Sequence, residues 1–149
     1  MVISSVTPNL VVGPCPHDPD DYDQLVAGRI TAILNLQSQD DFGERTLADV
    51  EGPAKSAGLV FRNVPVTDFD SLDLKRRLPE CVRVLDELVR AGHRVYVHCT
   101  AGVTRSPTVI AAYLHWQLGW PLEKALDHLH DVRNCYPLGD LIRRAKSPT

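Results

Sequence analysis

No long apolar run, no basic excess and no paired cysteines occur in these 149 residues, and each absence removes a class of function. No stretch approaches membrane-spanning length, and residues 1–10 lack a charged start followed by an apolar core, so neither a membrane protein nor a secretory leader is expected. The net charge of −3 at pH 7 leaves no evident electrostatic track for a nucleic-acid backbone. Cys15, Cys81, Cys99 and Cys135 contain no Cys-x-x-Cys pair, and of the six histidines only His98 adjoins a cysteine. His128 and His130 lie two apart on a helical pattern and so face different directions. Neither a disulfide framework nor a metal site is expected, and no cofactor is implied. Repeats, low-complexity tracts and linkers are also missing, so residues 1–149 read as one domain of ordinary soluble composition, 44% hydrophobic and 23% charged.

Strand and helix patterns alternate along the chain. Residues 9–13 read as a short strand ending in a Gly-Pro turn, and Asp18-Pro19 opens a helix with Tyr22, Leu25 and Val26, closed at Gly28. Residues 30–36 form an apolar, β-branched run suited to a buried strand, followed by a polar loop. A helix over 47–57 is expected to be interrupted at Gly52-Pro53, and a strand follows over 59–64. Leu78, Val82, Leu85 and Leu88 recur at helical spacing over 74–90, and three further helices are expected over 107–118, 121–132 and 138–145. Such alternation predicts an α/β fold, a mainly parallel central sheet flanked by helices on both faces.

The informative segment is His98-Cys99-Thr100-Ala101-Gly102-Val103-Thr104-Arg105-Ser106. Arg94-Val95-Tyr96-Val97 runs into it as a strand, and Ser106-Pro107 leaves it as a helix start, with Ser as N-cap and Pro at the first helical position. A strand–loop–helix unit points backbone N–H groups and the positive end of a helix at one spot, which favours an anion and a thiolate at Cys99. Arg105 adds a planar fork for two phosphate oxygens, which lysine could not supply. A cysteine at a strand end is often only a small buried hydrophobe, but packing alone gives no reason for an arginine beside it.

Cleavage of a phosphate ester also needs a proton donor opposite Cys99. Asp68, Asp70 and Asp73 compete for that role in the loop after the third expected strand. Asp73 is expected to cap the helix beginning at Leu74, Asp70 either to cap as well or to be solvated, and chemistry alone places Asp68 only somewhat ahead of Asp70.

The nine-residue segment resembles the Cys-x5-Arg signature of protein tyrosine phosphatases, and the short chain resembles their dual-specificity branch. Asn9-Leu10-Val11-Val12-Gly13, the stretch from Leu36-Gln37 to Phe42-Gly43, Asp68-Phe69-Asp70 with Asp73-Leu74 and Arg77-Leu78-Pro79, Gly92-His93-Arg94-Val95-Tyr96-Val97-His98-Cys99 and Arg133-Asn134-Cys135-Tyr136-Pro137 are similar to segments of laforin and plant starch-excess glucan phosphatases. That resemblance covers roughly residues 9–145. It implies the single-domain dual-specificity phosphatase fold, and its acid-to-cysteine spacing selects Asp68, 31 positions before Cys99. The implied roles are Cys99 as nucleophile, Arg105 with the amides of Thr100, Ala101, Gly102, Val103 and Thr104 as the phosphate cradle, and Asp68 as general acid. Ser106 is expected to stabilise the departing thiolate, and His98 to orient the loop.

Two features separate the chain from the glucan enzymes. No carbohydrate-binding module is expected in residues 1–149, as in some of the plant enzymes, and Thr104 stands where the glucan enzymes carry glycine before the arginine. The expected substrates are a phosphorylated protein or a phosphoglucan, acted on by a monomer. Thr100, Ala101, Val103 and Thr104 are neutral, which argues against a phosphoinositide. The acidic balance argues against an RNA triphosphatase, a placed Asp68 against sulfur transfer, and the retained triad against a catalytically dead binding module. Phe69 and Phe42 are expected at the substrate rim, while Trp116 and Trp120 are expected in the core. A reactive thiol implies a reducing compartment, cytoplasmic or an organelle reached through a removed targeting segment.

Overall fold

A computed structural model describes residues 1–148. The elements run β1 (Ser4–Thr7), β2 (Leu10–Gly13), α1 (Pro19–Ala27), β3 (Ala32–Asn35), α2 (Gln39–Phe42), α3 (Leu47–Ser56), β4 (Val60–Asn63), α4 (Ser71–Arg90), β5 (Val95–His98), α5 (Arg105–Trp116), α6 (Leu122–Val132) and α7 (Gly139–Arg144). The sheet order is β1-β2-β5-β3-β4. Its inner strands are parallel, with β5 flanked by β2 and β3, and only β1 runs antiparallel at the edge. The fold is therefore a small α/β domain with a mixed, mainly parallel sheet.

Alternation along each strand divides the core in two. Leu10, Val12, Ala32, Leu34, Val95 and Val97 face one side, against residues of α4, α5 and α6. Val11, Ile33 and Tyr96 face the other, against Tyr22 and Leu25 of α1 and Ala54 of α3. Because both faces are covered, β5 is buried at every position and its apolar run does not alternate with polar residues. Full burial of side chains such as Leu34, Leu85 and Leu114 contributes about 1.5–3 kcal/mol each.

Several boundaries depart from expectation for local reasons. The expected polar loop contains α2, a single turn without apolar periodicity, stabilised where the Ser38 amide and hydroxyl donate to Asp41. Helix α3 continues through Pro53, held by its buried Val50 and Ala54 and by Thr46 as N-cap. Helix α5 begins at Arg105 with Thr104 in the N-cap position, so Ser106 is not the cap and Pro107 is the third helical residue. Proline is tolerated there because the first-turn amides have no intrahelical acceptor.

Candidate active site

Strand β5 delivers Cys99 to the carboxyl edge of the sheet, between the ends of β2 and β3, and α5 leaves from Arg105. The backbone between them is turned in one sense. His98 Nδ1–H donates to the Cys99 carbonyl at 2.9 Å, and the Cys15 amide donates to that of Thr100 at 2.9 Å. Arg133 donates from Nη2 to Ala101 O at 3.1 Å and from Nε to Gly102 O at 2.8 Å. The Tyr136 amide donates to Val103 O at 2.6 Å, and Thr108 donates to Thr104 O through its amide and hydroxyl. Every carbonyl from Cys99 to Thr104 thus finds a donor outside the loop. The amides from Thr100 to Arg105 have no acceptor among the described residues, so the loop forms an N–H-lined nest for an anion.

Glycine makes this path possible at two positions. Gly102 has φ of +70°, and a Cβ there would come within 2.5 Å of Gly13 O. Gly13 itself lies against the Tyr96 hydroxyl, where a Cβ would approach to 2.3 Å.

Cys99 Sγ lies 3.4 Å from Ser106 Oγ, with both residues buried. Ser106 is thus free of a capping role and turned to the sulfur. His98 is also buried, and that burial drives its pKa down to about 4 despite the hydrogen bond to Cys99 O. It is neutral at physiological pH with its proton on Nδ1, the nitrogen facing a carbonyl. A neutral imidazole tied to the loop backbone fits the orienting role.

Arg105 is buried and its fork is already gripped on one edge. Nη1 and Nη2 donate to the two carboxylate oxygens of Asp41, each at 2.9 Å, and Nη1 also donates to Val66 O at 2.8 Å. Thr100 Oγ1 donates to the same carboxylate at 2.6 Å and accepts from Gln37 Nε2 at 3.0 Å. Burial opposes ionisation of Asp41, but hydrogen bonds from Arg105, Thr100 and Ser38 outweigh it and hold the carboxyl at about 2. Nε of Arg105 donates no hydrogen bond among the described residues, so a bound oxyanion can take the Nε/Nη2 edge, which Asp68 approaches at Nη2.

Of the three competing aspartates, Asp68 alone reaches this fork, with Oδ2 at 3.3 Å from Arg105 Nη2. The other two do structural work: Asp70 takes its capping alternative, and Asp73 departs from the expected cap. Because α4 begins at Ser71, Asp70 is its N-cap and accepts from the Asp73 amide at 3.0 Å. Asp73 is not the cap; it accepts from the Thr67 amide at 2.8 Å and pairs with Arg76. Asp68 and Arg105 line a cleft of about 220 Å³ together with Thr67, Phe69, Thr104 and Leu138.

The two rim phenylalanines separate. Phe69 is fully exposed at the tip of the acid loop, in a left-handed conformation at φ of +59°. Phe42 is only 6% exposed and does not form the rim, because the single turn of α2 that sends Asp41 to Arg105 directs its neighbour inward. Tyr136, 67% exposed and tied to Val103 through its amide, supplies a second aromatic beside the loop. Trp116 and Trp120 lie against the core, as expected. Asp41 and Arg133 were the functional positions not read from the sequence. Neither sits in the Cys-x5-Arg motif, although the resemblances over residues 36–43 and 133–137 span them.

The family model described as the dual-specificity phosphatase catalytic domain matches residues 16–141. The chain is 36% identical over 140 residues to the chloroplastic phosphoglucan phosphatase LSF1 of Arabidopsis thaliana, covering 92% of this chain and 24% of that protein. It is 38% identical over 112 residues to dual specificity protein phosphatase 1 of the same plant, covering 73% of this chain and 57% of the relative. It therefore spans about a quarter of the first relative's length and just over half of the second's. Among solved structures, human DUSP28 superimposes with a TM-score of 0.73 at 26% identity, over 95% of this chain and 90% of that one.

Proposed function

We propose that this chain, which belongs to the dual-specificity phosphatase family, hydrolyses phosphate monoesters through a phosphocysteine intermediate. The observation that carries the reading is the loop backbone, with all its carbonyls from Cys99 to Thr104 held outward and its amides left for an anion. Such a nest stabilises the equatorial oxygens as charge shifts at phosphorus. The Cys99 thiolate attacks phosphorus, an S–P bond forms, and the bond to the ester oxygen breaks. Asp68 in its acid form gives its proton to that leaving oxygen. A water then loses a proton to the Asp68 carboxylate and attacks phosphorus, releasing inorganic phosphate and the thiolate. The Ser106 hydroxyl, 3.4 Å from the sulfur, donates to the departing thiolate. Asp41 keeps the Arg105 fork in plane through both steps.

The favoured substrates are phosphorylated tyrosine, serine and threonine in proteins. The shallow cleft, with neutral loop residues and Phe69 at its edge, suits a single phosphate on a protruding side chain. A phosphoglucan is the second reading. It is supported by the similarity to LSF1 over 92% of the chain and by the exposed rings of Phe69 and Tyr136, on which a sugar face could stack. The enzyme acts as a monomer in a reducing compartment, where its thiol stays free.

Parallel assays on a phosphotyrosyl peptide, a phosphoseryl peptide and phosphorylated amylopectin test both readings. Turnover of the peptides with none on amylopectin supports the protein substrate. Phosphate release from amylopectin that Phe69→Ala lowers far more than aryl phosphate hydrolysis supports the glucan. No turnover of any substrate by wild type overturns the enzyme assignment.

A further inference from the structure

The first turns of α4 carry a second surface beside the acid loop. Leu74, Leu78, Cys81 and Val82 enter the core, whereas Leu72, Lys75, Arg76 and Pro79 share the outer face at helical spacing. The end of α7 and the chain beyond it bring Arg144, Ala145 and Lys146 opposite, and the two segments enclose a groove of about 390 Å³.

Charge is distributed unevenly along α4. Farther down the helix, Arg77, Arg83 and Arg90 pair with Glu80, Glu87 and Asp86. In the groove only Arg76 is paired, with Asp73; Lys75, Arg144 and Lys146 have no carboxylate partner among the described residues. The neighbouring Asp70 and Asp73 accept from the Asp73 and Thr67 amides, and Asp73 also holds Arg76. A chain of net charge −3 thus places Lys75, Arg144 and Lys146, without carboxylate partners among the described residues, in one concavity, where their field is focused.

Leu72, 79% exposed, stands at the edge of this groove, and Pro79 and Ala145 form its half-buried apolar part. A smaller cavity lined by Asp70, Leu72, Asp73 and Arg76 shares Leu72 and Arg76 with the groove and Asp70 with the active cleft. Cationic rim, apolar anchor and continuity with the cleft together select the occupant. A glucan would call for aromatic faces, and the groove has none. A lipid surface would call for a protruding face rather than a concave one. An acidic polypeptide with an apolar residue satisfies both the charge and the floor.

We infer that this groove docks an acidic segment lying several residues from the phosphorylated side chain of a protein substrate. The inference rests on the phosphatase reading above and narrows its substrate class to phosphoproteins with acidic flanks.

The test compares phosphotyrosyl peptides that differ only in an Asp/Glu cluster placed at varied distance from the phosphate, with a small aryl phosphate as reference. Wild type should favour the best acidic peptide by about five- to tenfold in kcat/KM, mainly through KM and less at high salt. Lys75→Glu/Arg144→Glu and Lys75→Gln/Arg144→Gln should each remove the preference and leave aryl phosphate hydrolysis unchanged. Equal kcat/KM for acidic and neutral peptides, or a preference that survives both double variants, would overturn the groove. So would an equal loss on aryl phosphate, or phosphatidylserine vesicles that bind through these residues while peptide preference is unaffected. A chain inactive on every substrate would instead sink the phosphatase reading. Fluorescence anisotropy with an unphosphorylated acidic peptide would then still read the groove, through tighter binding to wild type than to either double variant.

Discussion

In the phosphate loop each carbonyl from Cys99 to Thr104 meets a donor brought from β5, α5, the segment after β2 or the segment after α6. Across the cleft, the acid loop carries Phe69 fully exposed in a left-handed conformation, and Asp68 is over a third exposed. Apart from the Asp68–Arg105 contact, the anchors of the acid loop among the described residues lie at its ends, Val66 in the core and Asp70 and Asp73 at the start of α4. The contrast follows from the chemistry. An anion site works when its dipoles are already aimed and need no reorganisation. A proton donor must approach two different oxygens in turn, the leaving group and then water, and gains from freedom to move. Asp68 leans on the Arg105 edge that an incoming phosphate would take.

Arg105→Lys should break this design most severely, because it keeps the charge but loses both the Asp41 clamp and the oxyanion fork. A fall of roughly a thousandfold in kcat is expected. Near-normal steady-state kinetics would show that planar two-point binding is unimportant. Asp68→Asn should lower kcat about a hundredfold, most for poor leaving groups, and remove the basic limb of the pH–rate profile. If Asp70→Asn gives that signature instead, the acid has been misplaced.

Asp41→Asn sharpens the comparison, since it loosens the fixed side alone. A drop of about tenfold in kcat/KM is expected, carried by weaker binding of phosphate or tungstate, with the pH–rate profile retained. The same variant should show a linked stability effect. A carboxyl held at about 2 instead of 3.8 contributes roughly 2 kcal/mol. Because the folded pKa is the lower one, this contribution is complete above about pH 4 and disappears as pH falls through about 2. Denaturant titrations should therefore show the wild-type advantage narrowing between pH 4 and 2. An advantage that is constant across that window would rule out ionisation of Asp41 as its source. Arg133→Gln should have the smallest effect, several-fold in KM for aryl phosphate, because within the phosphate loop it frees only the Ala101 and Gly102 carbonyls. An unchanged KM would show that those two carbonyls need no brace.

Legibility in the sequence followed the same division between local and distant. Cys99, Arg105 and Ser106 were readable because one strand, one loop and one helix start hold them contiguously. The amphipathic part of α4 was readable from Leu78, Val82, Leu85 and Leu88, but its first turn was not, since Ser71 and Leu72 are exposed and add no apolar period. That missing turn is why Asp73 was expected at the cap that Asp70 occupies. Asp41 could not be read because its contact to Arg105 spans 64 positions and its own element is a single turn. Phe42 was misread for the same reason: no pattern in a one-turn helix reveals which neighbour faces inward. Strand β1 is a four-residue antiparallel edge containing two serines and a threonine, so its pairing with β2 comes from the hairpin rather than from hydrophobic alternation.

The central claim is covalent transfer of phosphate to the Cys99 sulfur within a preformed nest of amides. Rapid acid quench of the wild-type chain with ³²P-labelled phosphotyrosyl peptide, followed by peptide mapping, tests it directly. Label should sit on the peptide containing Cys99 and accumulate further in Asp68→Asn with an activated aryl phosphate, whose second step lacks the base. Cys99→Ser should carry none while still binding tungstate. Label on any other residue, or label that survives Cys99→Ser, would contradict the account.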